Sequence, residues 1–450
     1  MTDSHCLPRT LIFFLIFREV LSGCPLFLTI SLNETVVSDS FLEINWGPVC
    51  LFKPQTISIF KDDPTLSTDS SLLTVTNITN GISGKYTTSI KVGNLKFPGG
   101  WNKNSLSHSN IFSYGSGKCL NYFIAAFNGT ELLTMDCVTI YPNWMSDSKY
   151  VKKLALKKLF IPGTHSSGSF RYPGRNLKAS NHLVLKEYAY AQNMDVYSQL
   201  VFGIRFIDLK IGFNDKLGGK EFWIINENKF VVELKRVLDD VKEFLSRSND
   251  VVILDFSEFP YGFYKQPKKH VELVDFLEEQ VGKIAVLKDS VKGNVFDYSV
   301  EEINKLGRSL IILYPIEELS YPESESNILF PILKRFSIED KGHDDSLNFV
   351  SLLFSKRNAS LVGDEGWIFY AIQSLTGSFN NDDGKMKPAR ERAVKLNPKV
   401  INWLSGPWSE NANIVALDYF SNSKIIDLAI YANIQKAFHI VNDFVKFEID

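Results

Sequence analysis

Short runs of alternating hydrophobic and polar residues occupy the first third of the chain, separated by Ser, Asn, Gly and Asp. Leu42, Ile44 and Trp46 fall on one face of such a run, and the polar residues between them fall on the other. The run 132–138 has a similar pattern. Alternation with a period of two is typical of strands that bury one face. Residues 25–148 are therefore predicted to form an antiparallel β-sandwich domain.

Beyond residue 148 the pattern changes to hydrophobic runs that alternate with amphipathic helical segments. Leu234, Val237, Leu238 and Val241 mark one such helical face. Strands that alternate with helices indicate a parallel sheet or a (β/α) barrel. We therefore predict an α/β fold over 149–450, in the form of an irregular TIM-like (β/α) barrel. Its predicted strands lie in the runs 159–161, 205–213, 221–225, 251–256, 309–314, 367–372 and 413–418.

The composition is that of a globular protein. The 450 residues are 44% hydrophobic and 22% charged, which suits one large and one small domain. The 49 basic and 51 acidic residues are not grouped into long blocks of one charge. The sequence therefore predicts no nucleic acid among the partners, because surfaces that bind nucleic acid need clustered Lys and Arg.

The N-terminus has the features of a secretory signal peptide. Arg9 precedes the apolar run 11–17, and small residues suited to signal-peptidase cleavage follow near Gly23. We predict a signal peptide over 1–23 and a secreted, extracellular protein, with a buried first strand as the alternative. Four sequons fit secretion and are candidate glycosylation sites: Asn33, Asn77, Asn128 and Asn358.

All five cysteines lie in the first third of the chain. Secreted proteins hold such residues in disulfides. Cys119 with Cys137 is the preferred pair, and Cys50 is left to bond Cys24 if cleavage spares that residue. The pairing of Cys50 stays open.

Several polar residues fall at the predicted carboxyl ends of barrel strands, where barrel enzymes keep their active residues. His165 is the most informative, because it lies in a tight Gly-Thr-His turn directly after a short apolar strand. Lys210, Asn226 and Asp418 occupy similar positions at later strand ends. These four residues form the candidate active site.

The run 159–170 resembles the opening motif of the X domain of phosphatidylinositol-specific phospholipases C. The block 199–210 resembles the second motif of that domain, with a Gln-Leu pair and a Gly-x-Arg element. The sandwich is similar to the region that precedes the barrel in secreted animal proteins of this X-domain-containing group. Further blocks that resemble the family follow in the same order, at 221–226, 251–260, 414–418 and 425–433.

The resemblance implies phosphoric diester hydrolysis in lipid metabolism. In relatives that need no metal, the inositol 2-hydroxyl attacks phosphorus, which releases diacylglycerol and a cyclic inositol phosphate. His165 matches the base for this step, and Asp418 matches the acid that holds the histidine in its productive tautomer. No metal and no cofactor are predicted. The implied partners are phosphatidylinositol or inositol-phosphate headgroups and, by peripheral contact, a membrane.

Three positions depart from the family pattern. Ser166 replaces an aspartate, and Lys210 replaces the phosphate-binding arginine. Asn226, or Ile225 under a one-residue shift, replaces the second histidine, which protonates the leaving oxygen. Lys210 still offers a charge to phosphate, without the planar fork of arginine. Asn226 cannot transfer a proton near neutral pH, and a general acid contributes about 10²–10⁴-fold. The chain is therefore predicted to be weakly active or inactive, a pseudoenzyme.

Two alternatives stay open. One is a fully active phospholipase with a substitute acid, in which His182 folds into the site. Strand alternation is expected to turn Glu258 away from the site, and Glu227 as well if its strand persists that far. The other is a secreted binding protein that acts through the β-sandwich. The aromatic run 261–264 is a candidate for membrane contact, and the sequence does not specify the oligomeric state.

Overall fold

The computed structural model describes residues 26–32, 40–47, 54–67, 71–76, 84–104, 117–171, 188–214, 221–227, 229–319, 326–338, 350–354, 364–372 and 388–447. The chain divides into two compact units. The first comprises Met1–Asn102 and Lys118–Ile140, and the second comprises Lys103–Gly117 and Tyr141–Asp450. The domain limits 25–148 and 149–450 stay predictions, because compactness does not measure whether a segment folds on its own.

The described part of the first unit is built from strands that pair only with antiparallel neighbours. They form one sheet with the order β1-β2-β5 and another with the order β4-β3-β6-β7. The predicted antiparallel sheets are confirmed. The strands are β1 (Leu26–Leu32), β2 (Ser40–Trp46), β3 (Thr56–Phe60), β4 (Ser71–Thr76), β5 (Gly84–Val92), β6 (Lys118–Asn128) and β7 (Glu131–Ile140).

The central strand β2 buries residues on both of its faces. Leu42 and Ile44 are buried, as the alternating pattern predicts. Glu43 lies between them on the other face and is also buried, where Thr87 Oγ1 donates a hydrogen bond of 3.0 Å to its carboxylate. A buried carboxylate needs such a partner because it has lost water.

The second unit contains the parallel strands and the helices. Its strands are β8 (Ile161–Thr164), β9 (Phe206–Asn214), β10 (Glu221–Asn226), β11 (Lys229–Glu233), β12 (Val252–Tyr261), β13 (Leu310–Tyr314), β14 (Leu329–Pro331), β15 (Lys334–Ser337), β16 (Trp367–Ala371) and β17 (Ile414–Leu417). Its α-helices are α1 (Val196–Phe202), α2 (Leu234–Leu245), α3 (Pro267–Val281), α4 (Val300–Lys305), α5 (Ala389–Leu404) and α6 (Ile425–Phe447). Short 3₁₀ helices cover Val151–Lys153, Leu156–Lys158, Lys288–Ser290, Val295–Asp297, Ile316–Glu318, Pro407–Glu410 and Phe420–Asn422. Among the described helices, none has the length and apolar character needed to cross a membrane.

The core of the second unit is a curved series of parallel strands in the order β14-β13-β12-β9-β8-β17-β16-β15. Each neighbouring pair along it is parallel. Its two ends, β14 and β15, are separated in sequence by Ile332 and Leu333 alone. One run of chain therefore pairs with β13 at its start and with β16 at its end, which brings the edges of the sheet together. The predicted irregular TIM-like barrel is confirmed.

The strand predicted at 221–225 is not a member of this parallel series. It forms β10, which pairs antiparallel with β9 and with β11. Residues 215–220 alone separate β9 from β10, whereas a parallel neighbour needs a crossover of about a dozen residues or more. The strands β14 and β15 are missing from the sequence prediction, because Pro331 lies in the first and the second, Lys-Arg-Phe-Ser, has no apolar run.

Arg205, at the end of the Gly-x-Arg element that precedes β9, is a fully buried cation. Its Nε and Nη2 donate to Asp250 Oδ2 at 2.9 and 2.7 Å. Nη1 donates to the carbonyl of Leu200 at 2.6 Å, and Nη2 donates to the carbonyl of Pro142 at 2.8 Å. This part of the resemblance is therefore structural, since the guanidinium ties the start of β9 to the segments around it.

We predict that Asp250→Ala destabilises the protein by about 3–5 kcal/mol, because it leaves a buried guanidinium without its counter-charge. Chemical denaturation measures this loss. The matched control is Asp239→Ala, which removes an exposed carboxylate that pairs with Lys235 and is expected to cost about 1 kcal/mol or less. Equal losses in the two variants would contradict the role given to Arg205.

Candidate active site

Neighbouring strands bring His165 and Asp418 together. β8 and β17 are parallel partners, with Thr164 opposite Leu417, so the next residue of each strand lies at the same edge of the sheet. His165 Nδ1 is 2.8 Å from Asp418 Oδ1. An ionised carboxylate only accepts hydrogen bonds, so Nδ1 carries the proton and Nε2 presents a lone pair. This is the tautomer that a general base needs.

Ser166 lies in a buried turn with left-handed backbone, at a φ of +44°. Its N–H donates to Asp208 Oδ2 at 2.7 Å, and the N–H of Ser167 donates to the carbonyl of Asp208 at 2.8 Å. Asp208 Oδ2 also lies 4.0 Å from His165 Nε2. Asp208 therefore holds the turn that carries His165.

Asn226 is the last residue of β10 and lies against this turn. Its buried Oδ1 accepts a hydrogen bond from Ser166 Oγ at 3.3 Å. Its Nδ2 donates to the carbonyl of Ala189 at 3.4 Å. Ser166 and Asn226 thus contact each other as a neutral hydroxyl and amide. Neither group transfers a proton readily near neutral pH.

Lys210 follows Asp208 by two residues on β9, and its Nζ pairs with Glu258 Oε1 at 3.0 Å. A register shift in β12 between Phe256 and Glu258 interrupts the alternation and brings Glu258 opposite Lys210. The expectation that Glu258 turns away from the site residues is therefore wrong. Desolvation lowers the pKa of Lys210, but the carboxylates of Asp208 and Glu258 raise it more, so its net pKa is above the ordinary value.

Asp255, Arg335 and Tyr370 form a further polar group that the sequence analysis does not identify. Arg335 Nη2 donates to Asp255 Oδ1 at 2.6 Å, and the Tyr370 hydroxyl donates to Asp255 Oδ2 at 3.1 Å. The Tyr370 ring stands edge-on to the imidazole of His165, with 5.8 Å between centroids. Burial raises the pKa of Asp255 to about 6 against the opposing effect of Arg335. A carboxylate inside the apolar run 251–256 is the signal that could have identified this group.

Glu227 follows the end of β10 with a φ of +46°. The strand does not persist beyond Asn226, so alternation does not direct Glu227 away from the site. Its carboxylate interacts electrostatically with Arg392, Lys210 and His165. Arg392 lies on α5, and its Nε and Nη1 are buried without a hydrogen-bond partner among the described residues. The sequence analysis does not identify Arg392.

The remaining predicted sites are distributed over the rest of the chain. Asn128 is exposed at the end of β6, and its glycosylation stays a prediction. A disulfide joins Cys119 and Cys137 across β6 and β7, with Cα atoms 5.6 Å apart. No cluster of three or more His, Cys, Asp or Glu suited to a metal ion occurs among the described residues. Outside those residues lie 1–23, Cys24, Asn33, Cys50, Asn77, His182 and Asn358.

No protein-family model matches the chain. A PI-PLC X domain-containing protein 3 from Danio rerio is 24% identical over 326 residues, which cover 65% of this chain and 93% of the relative. The chain has homologues among proteins named for the PI-PLC X domain. The resemblance predicted from its sequence blocks is confirmed.

Other relatives cover the chain less completely. A PI-PLC X-box domain-containing protein from Dictyostelium discoideum is 28% identical over 167 residues, which are 35% of this chain and 21% of that protein. A mutant phosphatidylinositol-specific phospholipase C from Staphylococcus aureus is 18% identical, with a TM-score of 0.47 over 65% of this chain and 96% of that one. The corresponding values for the Listeria monocytogenes enzyme are 17%, 0.46, 65% and 98%.

We predict that Asp418→Asn changes the tautomer of His165, because the amide no longer demands a proton on Nδ1. ¹⁵N NMR of the neutral imidazole is expected to show protonated Nδ1 in the unaltered protein and a mixture of tautomers in the variant. Asp297→Asn is the control, since Asp297 is the half-exposed partner of Lys157. An unchanged tautomer in Asp418→Asn would rule out the proposed pairing.

Proposed function

We propose that this chain cleaves, at a reduced rate, a phosphoric diester whose alcohol carries a neighbouring hydroxyl, as phosphatidylinositol does. The observation that supports the proposal is the contact of 2.8 Å between His165 Nδ1 and Asp418 Oδ1 at the carboxyl ends of adjacent strands. Because Nδ1 donates its hydrogen bond to Asp418, the lone pair of Nε2 accepts the proton of the inositol 2-hydroxyl. The hydroxyl oxygen then attacks phosphorus to form a cyclic inositol phosphate.

Positive charge near His165 supports binding of an inositol-phosphate headgroup. Lys210 is cationic and half-buried, and Glu258 shares its charge at 3.0 Å. A phosphate oxygen competes for Lys210 with an exposed carboxylate, and exposed ion pairs contribute about 1 kcal/mol or less. We therefore propose that the phosphate of the headgroup replaces Glu258 as the partner of Lys210. The headgroup then lies between Lys210, His165 and Asp418.

The reduced rate follows from the neutral pair at Ser166 and Asn226. An amide at 226 supplies no proton to the leaving oxygen. A general acid contributes about 10²–10⁴-fold in rate, which is roughly 3–5 kcal/mol, so the rate depends on how well a group other than Asn226 donates that proton.

We propose that the aromatic run after β12 makes the peripheral membrane contact. β12 is parallel to β9, so its carboxyl end lies on the same side of the sheet as Lys210. Tyr261 and Tyr264 are 53% and 82% exposed, and Lys265 Nζ lies 5.2 Å from the Tyr264 ring centroid. Exposed tyrosine beside a cation suits the headgroup region of a bilayer, because its ring is apolar and its hydroxyl is polar.

We also propose that the protein is secreted. The disulfide between Cys119 and Cys137 supports this location, because disulfides persist in oxidising compartments. The exposed sequon at Asn128 is accessible to glycosylation in the same pathway.

We predict that the purified protein converts phosphatidylinositol in vesicles into a cyclic inositol phosphate, and that His165→Ala lowers this rate by about 10²-fold or more. Phosphorus NMR detects the cyclic product. Phosphatidylcholine is the matched control substrate, since its choline has no hydroxyl that can attack phosphorus. Absence of the cyclic product from the unaltered protein, or its persistence in His165→Ala, would contradict the proposal.

We predict that Tyr264→Ala weakens binding to vesicles that contain phosphatidylinositol by about 5- to 10-fold, or ~1 kcal/mol, since the ring leaves water on binding. Vesicle sedimentation measures the affinity. Tyr431→Ala, which removes an exposed ring from α6, is expected to leave it unchanged. Equal affinities of Tyr264→Ala and the unaltered protein would place the membrane contact elsewhere.

A further inference from the structure

We infer that Glu227 is the catalytic acid of this site and that it protonates the leaving oxygen in place of the missing second histidine. The inference rests on the proposed function and adds to it a residue that departs from the family pattern. It also assigns the replaced step to a side chain one position beyond Asn226.

The backbone at Glu227 is the first observation. Asn226 pairs with Lys229 across β10 and β11, so Glu227 directly follows the last paired residue of β10. Positive φ favours Gly or Asn, because the Cβ of other residues is crowded there. Glu227 has a φ of +46°, a conformation that opposes its residue type. Unfavourable backbone of this kind is found where surrounding structure or function requires it.

Positive φ values outside glycine cluster at the site. In the described part of the chain they occur at Asn104, Ser166, Glu227, Lys265 and Tyr419. Three of these residues directly follow His165, Asn226 and Asp418. The hydroxyl of Ser166 does not ionise near neutral pH, and the Tyr419 hydroxyl donates to the carbonyl of Tyr190 at 2.9 Å. Glu227 is the member of this group whose proton is suited to transfer.

The other carboxylates near the site already have partners. Asp208 accepts the N–H of Ser166 at 2.7 Å, Asp418 contacts the imidazole at 2.8 Å, and Asp255 pairs with Arg335 at 2.6 Å. Glu258 pairs with Lys210 at 3.0 Å. Glu227 has no hydrogen bond or ion pair among the described residues, so its carboxyl group is free to meet a substrate oxygen.

Charged groups on four elements interact electrostatically with Glu227. These are Arg392 of α5, Lys210 of β9, His165 after β8 and Asp418 after β17. Desolvation raises the pKa of Glu227 against the opposing effect of the three basic groups. A bound phosphate neutralises Lys210 and accepts from the unpartnered Nε and Nη1 of Arg392. The bound phosphate thus offsets the basic groups that lower the pKa of Glu227. Substrate binding therefore favours the protonated carboxyl group that an acid needs.

The reaction balances with these two groups. His165 Nε2 takes the proton of the 2-hydroxyl, and that oxygen donates an electron pair to phosphorus. The bond between phosphorus and the glyceryl oxygen breaks, and its electron pair stays on the glyceryl oxygen. That oxygen takes the proton of Glu227, which gives diacylglycerol and the cyclic inositol phosphate. Solvent then returns one proton from the imidazolium to the Glu227 carboxylate.

The test compares two leaving groups in the full-length protein. Cleavage of phosphatidylinositol releases an alkoxide, which needs a proton. Cleavage of the 4-nitrophenyl ester of inositol 1-phosphate releases a stable phenolate, which does not. Glu227→Gln keeps the size of the side chain and removes its proton. We expect kcat for phosphatidylinositol to fall by about 10²-fold or more, and kcat for the aryl ester to change by less than about threefold.

The pH profile supplies a second readout. Turnover of phosphatidylinositol is expected to fall as pH rises through the pKa of Glu227, because the ionised form has no proton to give, and this alkaline limb should be absent in Glu227→Gln. Glu221→Gln, at the opposite and exposed end of β10, is the control and should resemble the unaltered protein. Thermal unfolding followed by circular dichroism verifies that all variants fold.

The outcomes separate this inference from the proposed function. If the unaltered protein cleaves neither substrate, the proposed function fails and the inference fails with it. If the unaltered protein cleaves both, and Glu227→Gln slows both equally or neither, the acid lies elsewhere while the proposed function stands. If Glu227→Gln lowers kcat for phosphatidylinositol but not for the aryl ester, the result supports the inference.

Discussion

The geometry of the site depends on one turn that carboxylates hold from two sides. Asp418, after β17, accepts a hydrogen bond from the imidazole of His165. Asp208, on β9, accepts one from the backbone N–H of Ser166. The three strands are adjacent and parallel, so their carboxyl ends meet at one edge. Each carboxylate is buried, which makes both contacts strong and directional because water does not compete for them.

The described site contains one imidazole–carboxylate contact and one neutral contact. His165 Nδ1 lies 2.8 Å from Asp418 Oδ1. The hydroxyl of Ser166 and the amide of Asn226 meet beside them at 3.3 Å. Glu227 lies one residue beyond Asn226, with a backbone φ that does not favour glutamate. A comparison of motifs aligns residues position by position, so it does not direct attention to a carboxyl group at this place.

Local departures from regular strands explain which site residues are missing from the sequence prediction. Alternation predicts the wrong direction for Glu258 because β12 contains a register shift just before it. For Glu227 the condition of the alternation argument is not met, because β10 ends at Asn226. Arg335 lies on β15, whose sequence Lys-Arg-Phe-Ser contains no apolar run that would predict a strand. His165 and Asp418 follow regular apolar strands, and for them strand ends are a sufficient guide.

The sequence by itself determined the fold class, because hydrophobic periodicity and the order of short blocks are local properties of the chain. It also placed His165 and Asp418 directly after barrel strands, whereas Lys210, predicted at a strand end, lies inside β9. The tertiary structure alone decided which polar groups meet, that Lys210 pairs with Glu258 and that Asp208 holds the His165 turn. Contacts between separate strands depend on register and bulges, which are set by packing of the whole barrel and leave no mark in any single segment.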